Sequence, residues 1–249
     1  KLQEIKSRSN EYEVGRVVSV REYILEVSGL ENAAFYERVQ VSGKSEGYVI
    51  GIRRNSVMVA LVKKNSDIYV GDEVIATGKE FCLSYDEEAF GHIVNMMGED
   101  VMTGKMLEHT ELMHIENPTT PIMDRTSVNR PLETALAGID LIYPIGRGQR
   151  QLIIGDKKTG KTQIALDTIL NQKDKDVLCI YIAIGKTKKA LKEVYAELQK
   201  KGAMKYTLIL PALNDDLPPI LSLTPYAGLA IAEKYMHQGK DVLVVIDDL

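Results

Sequence analysis

The amino-acid sequence predicts an α/β protein, with a parallel-sheet core preceded by a small antiparallel β-barrel. Two patterns indicate this fold: residues 11–78 form short strand-like runs, and strands alternate with helices from Gln151 onward. The chain has 249 residues, more than the roughly 100–200 that are usual for one domain. We therefore predict a barrel domain over residues 1–78 and a core domain over residues 79–249.

The barrel prediction rests on six runs rich in valine and isoleucine, separated by Gly, Asn or Asp. Charged and apolar residues alternate within them, as expected for an antiparallel sheet with one buried face. Their spacing is close to the ~8–12 residues that is typical of small barrels and sandwiches. The runs are EVGRVVSV, YILEVSGL, ERVQVSG, EGYVIGI, SVMVALV and DEVIATG.

Residues 79–130 contain several turn signals and predict no single element. After them, Pro131 suits the first position of a helix, and Pro144 with two following glycines would end it. The predicted inward face has the spacing i, i+3, i+4 and i+7 and consists of Leu132, Ala135, Leu136 and Ile139.

The core prediction rests on strands that alternate with helices, which is typical of a parallel sheet. The predicted strands are QLIIG, VLCIYIAIG, YTLILP and DVLVVIDDL. The first predicted helix spans residues 161–171, with Ile164, Ala165, Thr168 and Ile169 on one side, and the second is LKEVYAELQKKG, which ends at Gly202. The third spans residues 217–237, with a bend expected at Pro225.

Residues 155–162 read GDKKTGKT and match the phosphate-binding pattern G-x-x-x-x-G-K-[ST], placed between a predicted strand and a predicted helix. Backbone N–H groups of such a loop, and the positive end of the helix, attract phosphate. Lys161 would reach the β- and γ-phosphates. The fold is therefore predicted to be a P-loop NTPase core of the RecA-like type. The candidate nucleotide-binding residues are Gly155, Asp156, Lys157, Lys158, Thr159, Gly160, Lys161, Thr162 and Gln163.

Two residues are candidates for holding Mg²⁺. Thr162 places a hydroxyl next to the predicted phosphate site, and Asp247 follows an apolar strand as the expected acid that orients the ion. Alternation along the strand would let Asp248 point to the opposite side.

Hydrolysis also needs a group that positions the attacking water. The second core strand ends in Gly185-Lys186, and a lysine ammonium has no lone pair for that task. We therefore assign no catalytic residue, and Asp248 stays open as an alternative acid. Lys186 otherwise reads as part of a solvated basic cluster at a helix start.

Several segments resemble the alpha subunit of F-type rotary ATP synthases. They are RPLETALAGIDLIYPIGRGQRQLIIGDKKTGKTQIALDTILNQK, LCIYIAIG, LTPYAG, VLVVIDDL, EVGRVVSV and FGHIVNMMGEDVMTGK. The resemblance implies that the chain binds ATP or ADP with Mg²⁺ without turnover. It also implies beta-type catalytic subunits that alternate with it in a hexamer, around a central-stalk subunit of the gamma type.

The sequence departs from that family at three places. Lys157-Lys158 stands where alpha subunits have Arg-Gln, and Lys186 stands where they have glutamine and active relatives have glutamate. Residues 20–24 lack the expected glycine-rich turn. These departures indicate a divergent copy.

Composition narrows the remaining alternatives. A net charge of -4 disfavours nucleic-acid binding, and no apolar run approaches the ~18 residues of a membrane span. We expect no signal peptide, because the N-terminal run KLQEIKSRSN is charged and lacks an apolar segment. We expect a cytoplasmic protein that reaches a membrane only through partner subunits. A self-sufficient hexameric ATPase, such as a secretion motor or a Rho-like translocase, and a purely structural subunit stay open.

Overall fold

The computed structural model describes residues 12–248. The N-terminal segment that we interpreted as lacking a signal peptide, and Leu249, lie outside the described residues. Within the described part, no helix is both long and apolar enough to cross a membrane. The chain divides into two compact units: residues up to Cys82 together with Asp215–Leu223, and Leu83–Asn214 together with the residues from Thr224 onward.

The first unit contains a closed antiparallel barrel with the strand order β1-β2-β5-β4-β3-β6. Its interior is filled mainly by valine and leucine from alternate strand positions, such as Val39 and Val41 of β3, which is why the six apolar runs predicted it. The predicted domain boundary at residue 78 stays a prediction. The strands are β1 (Glu13–Arg21), β2 (Ile24–Ser28), β3 (Glu37–Val41), β4 (Ser45–Ile52), β5 (Val57–Lys63) and β6 (Glu73–Glu80).

The turn between β1 and β2 forms without glycine. Glu22 adopts a φ of 53°, a left-handed conformation that costs a residue with a side chain more than it costs glycine. The departure noted at residues 20–24 therefore leaves the hairpin intact.

The second unit is built on a three-stranded parallel sheet with the order β14-β13-β15. Together with the barrel it confirms the predicted fold class. Cys179 is fully buried in the central strand. The elements are α1 (Ala137–Ile142), α2 (Lys161–Leu170), β13 (Val177–Lys186), α3 (Lys188–Lys200), β14 (Thr207–Leu213), α4 (Pro218–His237) and β15 (Asp241–Asp247).

Short strands and turns connect the barrel to this sheet. The segment around Ile93 also pairs in parallel with Ile209, so it covers the outer edge of β14. The short strands are β7 (Cys82–Tyr85), β8 (Glu99–Asp100), β9 (Lys105–Met106), β10 (Glu111–His114), β11 (Pro131–Leu132) and β12 (Ile145–Gly146), and 3-10 turns lie at Glu87–Ala89, Ile122–Asp124 and Ala203–Tyr206.

The helix predicted from Pro131 is wrong in its start. Pro131–Leu132 forms β11 and pairs antiparallel with β12, and helix α1 begins only at Ala137. The Asp140 carboxylate accepts hydrogen bonds from the backbone N–H groups of Thr134 and Ala135, at 3.0 and 3.1 Å. Ala135 has a φ of 64°. These side-chain bonds hold a turn where the periodicity alone suggested helix.

The strand predicted for QLIIG is also wrong. Residues 151–156 are irregular, and Leu152 and Ile154 are 67 % and 83 % exposed. An apolar run expresses strand propensity only where a neighbouring strand pairs with it and its side chains are covered. In this structure β15 is the edge strand of its sheet and pairs with β13.

The three predicted helices of the core are confirmed as α2, α3 and α4, with Pro225 inside α4. The inward face of α2 differs in detail. Leu166 is buried with Thr168 and Ile169, whereas Ile164 and Ala165 are only partly buried. Leu166 and Ile169 both belong to the core cluster that packs around β13, so the buried stripe is rotated slightly from the predicted one.

Candidate nucleotide-binding site

The glycine loop at residues 155–162 is exposed and leads directly into α2. Gly160 precedes the helix with a φ of 93°, a left-handed conformation that favours glycine. Gly155 is needed for a different reason: a Cβ there would lie 2.8 Å from the Thr159 hydroxyl oxygen. That hydroxyl donates to the Asp156 carbonyl at 2.8 Å. The two glycines therefore permit a compact turn whose end meets the start of a helix.

Lys161 folds back across this loop. Its ammonium donates to the carbonyls of Gly155 and Asp156 at 2.6 and 2.7 Å. A cation is thus held against the carbonyls of the loop, next to the positive end of α2. This is the arrangement that attracts an anion with several oxygens.

The other candidate loop residues are placed less specifically. Lys157 and Lys158 are exposed, and Lys158 has a φ of 67°. The Gln163 side chain donates to Asp167 at 3.0 Å along the same helix. The roles assigned to all the candidate loop residues stay predictions.

The second part of the site is centred on Asp247, which is 6 % exposed at the end of β15. Its Oδ2 accepts hydrogen bonds from the Thr162 hydroxyl at 2.9 Å and the Tyr181 hydroxyl at 2.5 Å. Its Oδ1 lies 3.1 Å from the Lys186 ammonium. Burial raises the pKa of Asp247, but the hydrogen bonds from Tyr181, Lys186 and Thr162 contribute to holding it below its ordinary value. Asp247 is therefore ionised and fully engaged at neutral pH.

Strand register explains how these groups meet. Ala183 of β13 lies opposite Asp247 of β15, and Tyr181 points to the same face because side chains alternate. The small Ala183 side chain leaves room beside the carboxylate. Burial first, and then the Asp247 carboxylate, raise the pKa of Tyr181, so the phenol stays a hydrogen-bond donor.

Lys186 lies at the end of β13 with its side chain 22 % exposed. Besides Asp247 it contacts the Asp248 carboxylate, with Nζ 3.2 Å from Oδ2. Desolvation lowers the pKa of Lys186, but the two carboxylates raise it by more than that. The net change in the pKa is therefore upward. Lys186 is thus a paired cation, which corrects its interpretation as part of a solvated cluster.

The expectation that Asp248 points away from Asp247 is also wrong, since both carboxylates reach the same ammonium. Strand β15 ends at Asp247, so the alternation of side chains no longer applies one residue later.

A cavity of about 290 Å³ lies beside these groups. Its walls come from α2, the end of β13, α3 and Asp247, and the acidic side chains of Glu193 and Glu197 lie among them. The hydroxyl of Thr162, the Asp247 carboxylate and the Lys186 ammonium therefore line one recess at the carboxyl ends of the strands.

A parallel sheet, a glycine loop opening a helix and an acid at the end of another strand are typical of a P-loop nucleotide-binding domain. Residues 135–249 match the family model of the ATP synthase alpha/beta family, nucleotide-binding domain. The match is to the nucleotide-binding domain of that family, and it supports nucleotide binding by this part of the chain. It does not distinguish alpha from beta.

Sequence reasoning missed Tyr181 as a partner of the acid. One signal could have found it: a tyrosine inside an otherwise apolar strand, whose buried hydroxyl needs a hydrogen-bond partner. The register with β15 then supplies that partner.

Proposed function

We propose that the chain is a non-catalytic ATP-binding subunit of the alpha type in a hexameric rotary ATPase. The observation that carries the proposal is Lys186. Hydrolysis requires a group that accepts a hydrogen bond from the attacking water, and the end of β13 presents instead a cation paired with Asp247 and Asp248.

Nucleotide binding would use residues 155–163. Lys161 would exchange its two loop carbonyls for β- and γ-phosphate oxygens, since its ammonium already lies over the loop. Thr162 and Asp247 would hold Mg²⁺, and their hydroxyl and carboxylate oxygens are the donors this ion prefers. The oxygens lie 2.9 Å apart. When bound, the ion neutralises phosphate charge.

The partners follow from the same assignment. Beta-type subunits would carry the catalytic sites and alternate with this chain, and a gamma-type subunit would occupy the central stalk. Contact with a membrane would come only through partner subunits, at its cytoplasmic face, and the acidic balance of the chain argues against nucleic acid. The barrel domain at residues 1–78 and the core at residues 79–249 would both belong to the hexamer ring.

The test is Lys161→Ala in the full-length subunit, assembled with its natural partners, with the initial ATPase rate as readout. Loss of the lysine weakens nucleotide binding at this site alone, so we expect an ATPase rate within about twofold of the wild type. Loss of a phosphate-binding lysine at a catalytic site would lower the rate by much more. Lys157→Ala is the matched control for a loop charge. A collapse of the rate in a properly assembled hexamer would refute the non-catalytic assignment.

A self-sufficient hexameric ATPase is the second candidate. The Asp248 side chain is 65 % exposed, so its carboxylate would be accessible to a water molecule and would act as the group that orients it. Two results would favour this candidate: hexamers that form from this chain without any partner, and loss of turnover in Asp248→Asn.

A further inference from the structure

The Lys186 ammonium contacts the very carboxylate that would orient a metal ion. It lies 3.1 Å from Asp247 Oδ1 and 3.2 Å from Asp248 Oδ2. The other oxygen of Asp247 accepts the hydroxyls of Thr162 and Tyr181. Both oxygens of Asp247 therefore already have donors, and one of these donors carries a full positive charge.

The ammonium has little freedom to leave. Lys186 is the last residue of β13, and its carbonyl accepts the backbone N–H of Asn214 at 3.2 Å, which ties its backbone to the segment after β14. Its side chain is mostly buried at the wall of the cavity beside Thr162. Rotation toward solvent would break both ion pairs.

A tethered cation here has two consequences for Mg²⁺. It neutralises one of two carboxylate charges, and it repels a second cation within a few ångströms in a partly desolvated recess. At the same time it places a cation near Thr162, since both side chains contact Asp247 and line the same cavity. Thr162 is the residue next to the loop where phosphate would lie. The first effect weakens the binding of Mg²⁺, and the second partly replaces the charge that Mg²⁺ would supply.

We propose that Lys186 acts as a built-in cation that substitutes in part for Mg²⁺, so that this site binds ATP or ADP with an affinity that depends little on Mg²⁺. The inference rests on the proposed nucleotide binding and concerns how the same site is charged.

The experiment measures the equilibrium affinity for a fluorescent ATP analogue, in excess Mg²⁺ and in EDTA, on the full-length subunit with its assembly partners. The signal that disappears in Lys161→Ala defines binding at this site. We expect the wild-type affinity to change by less than about threefold on metal removal, and that of Lys186→Gln by about tenfold or more, because the amide keeps hydrogen bonding but removes the charge. Lys189→Gln, an exposed lysine of α3, is the matched control and should behave as the wild type.

Binding of Mn²⁺, counted by electron paramagnetic resonance with ADP present, gives a readout independent of affinity for the analogue. Lys186→Gln should bind Mn²⁺ at this site at least about tenfold more tightly than the wild type.

The outcomes separate the two proposals. Wild-type protein that binds no analogue at this site in either condition refutes the proposed function. Wild-type protein that binds, but with a metal dependence as steep as that of Lys186→Gln, refutes the role of Lys186 alone. The wild-type measurement decides even if Lys186→Gln fails to fold, since a tenfold loss in EDTA would itself contradict the inference.

Discussion

The hydrogen bond between Tyr181 and Asp247 offers a sharp test of the site's architecture. Tyr181 is 1 % exposed in the middle of β13, and its hydroxyl donates to Asp247 Oδ2. Tyr181→Phe removes that hydroxyl and leaves the ring in place. We expect the variant to fold with a lower free energy of unfolding, because a buried carboxylate loses one of its donors.

A hydrogen bond to a charged group contributes about 1.5–3 kcal/mol to stability. Asp247 keeps its bonds with Thr162 and Lys186 in the variant. We therefore expect the lower part of that range, about 1.5–2 kcal/mol at pH 7.

The loss should depend on pH in a defined direction. The pKa of Asp247 is lowered in the folded protein, so its ionised form stabilises the fold above the unfolded pKa of about 3.9. This stabilisation is lost as the pH falls through the lowered folded value. The difference between wild type and Tyr181→Phe should accordingly be largest near neutral pH and shrink below about pH 4.

Urea unfolding followed by circular dichroism at a series of pH values measures both effects. Tyr195→Phe is the matched control, because Tyr195 packs on the same core from α3 and is only partly buried. It should change stability by less than about 0.5 kcal/mol. If Tyr181→Phe were as harmless as the control at pH 7, or equally destabilising at all pH values, the hydrogen bond to an ionised Asp247 would be disproved.

Two further predictions concern packing and buried hydroxyls. Gly228→Ala would bring a Cβ within 2.3 Å of the Ile182 side chain, so we expect a loss of about 1–3 kcal/mol in urea unfolding. Gly138→Ala, where a Cβ meets nothing within 4 Å, is the control, and equal effects would contradict the crowding at Ile182. The hydroxyls of Tyr85 and Tyr235 lie 2.5 Å apart in a buried pair, so Tyr85→Phe should cost about 1–3 kcal/mol by leaving its partner unsatisfied. The double variant with Tyr235→Phe should recover much of that loss in thermal unfolding, and strictly additive losses would show that the hydroxyls do not interact.

The barrel and the parallel sheet could be predicted because their signals are local. Alternation in residues 11–78 and the apolar runs VLCIYIAIG and DVLVVIDDL indicate which faces are buried. The glycine loop could also be predicted, because its pattern lies within eight residues. Gly155 leaves no room for a Cβ, and Gly160 has a positive φ. The start of α1 could not be predicted, because it depends on the Asp140 carboxylate, which accepts hydrogen bonds from the earlier backbone N–H groups of Thr134 and Ala135.

The sequence by itself determined the six barrel runs, the three strands of the parallel sheet, the P-loop motif and the candidate acid Asp247, since each is written in neighbouring residues. Only the tertiary structure decided which groups surround that acid. Lys186 and Thr162 are separated from Asp247 by 61 and 85 residues, and the parallel register of β13 with β15 brings Lys186 and Tyr181 to it. The sequence does not reveal which group a charged residue at the end of a strand will contact, because that partner depends on how two distant strands align.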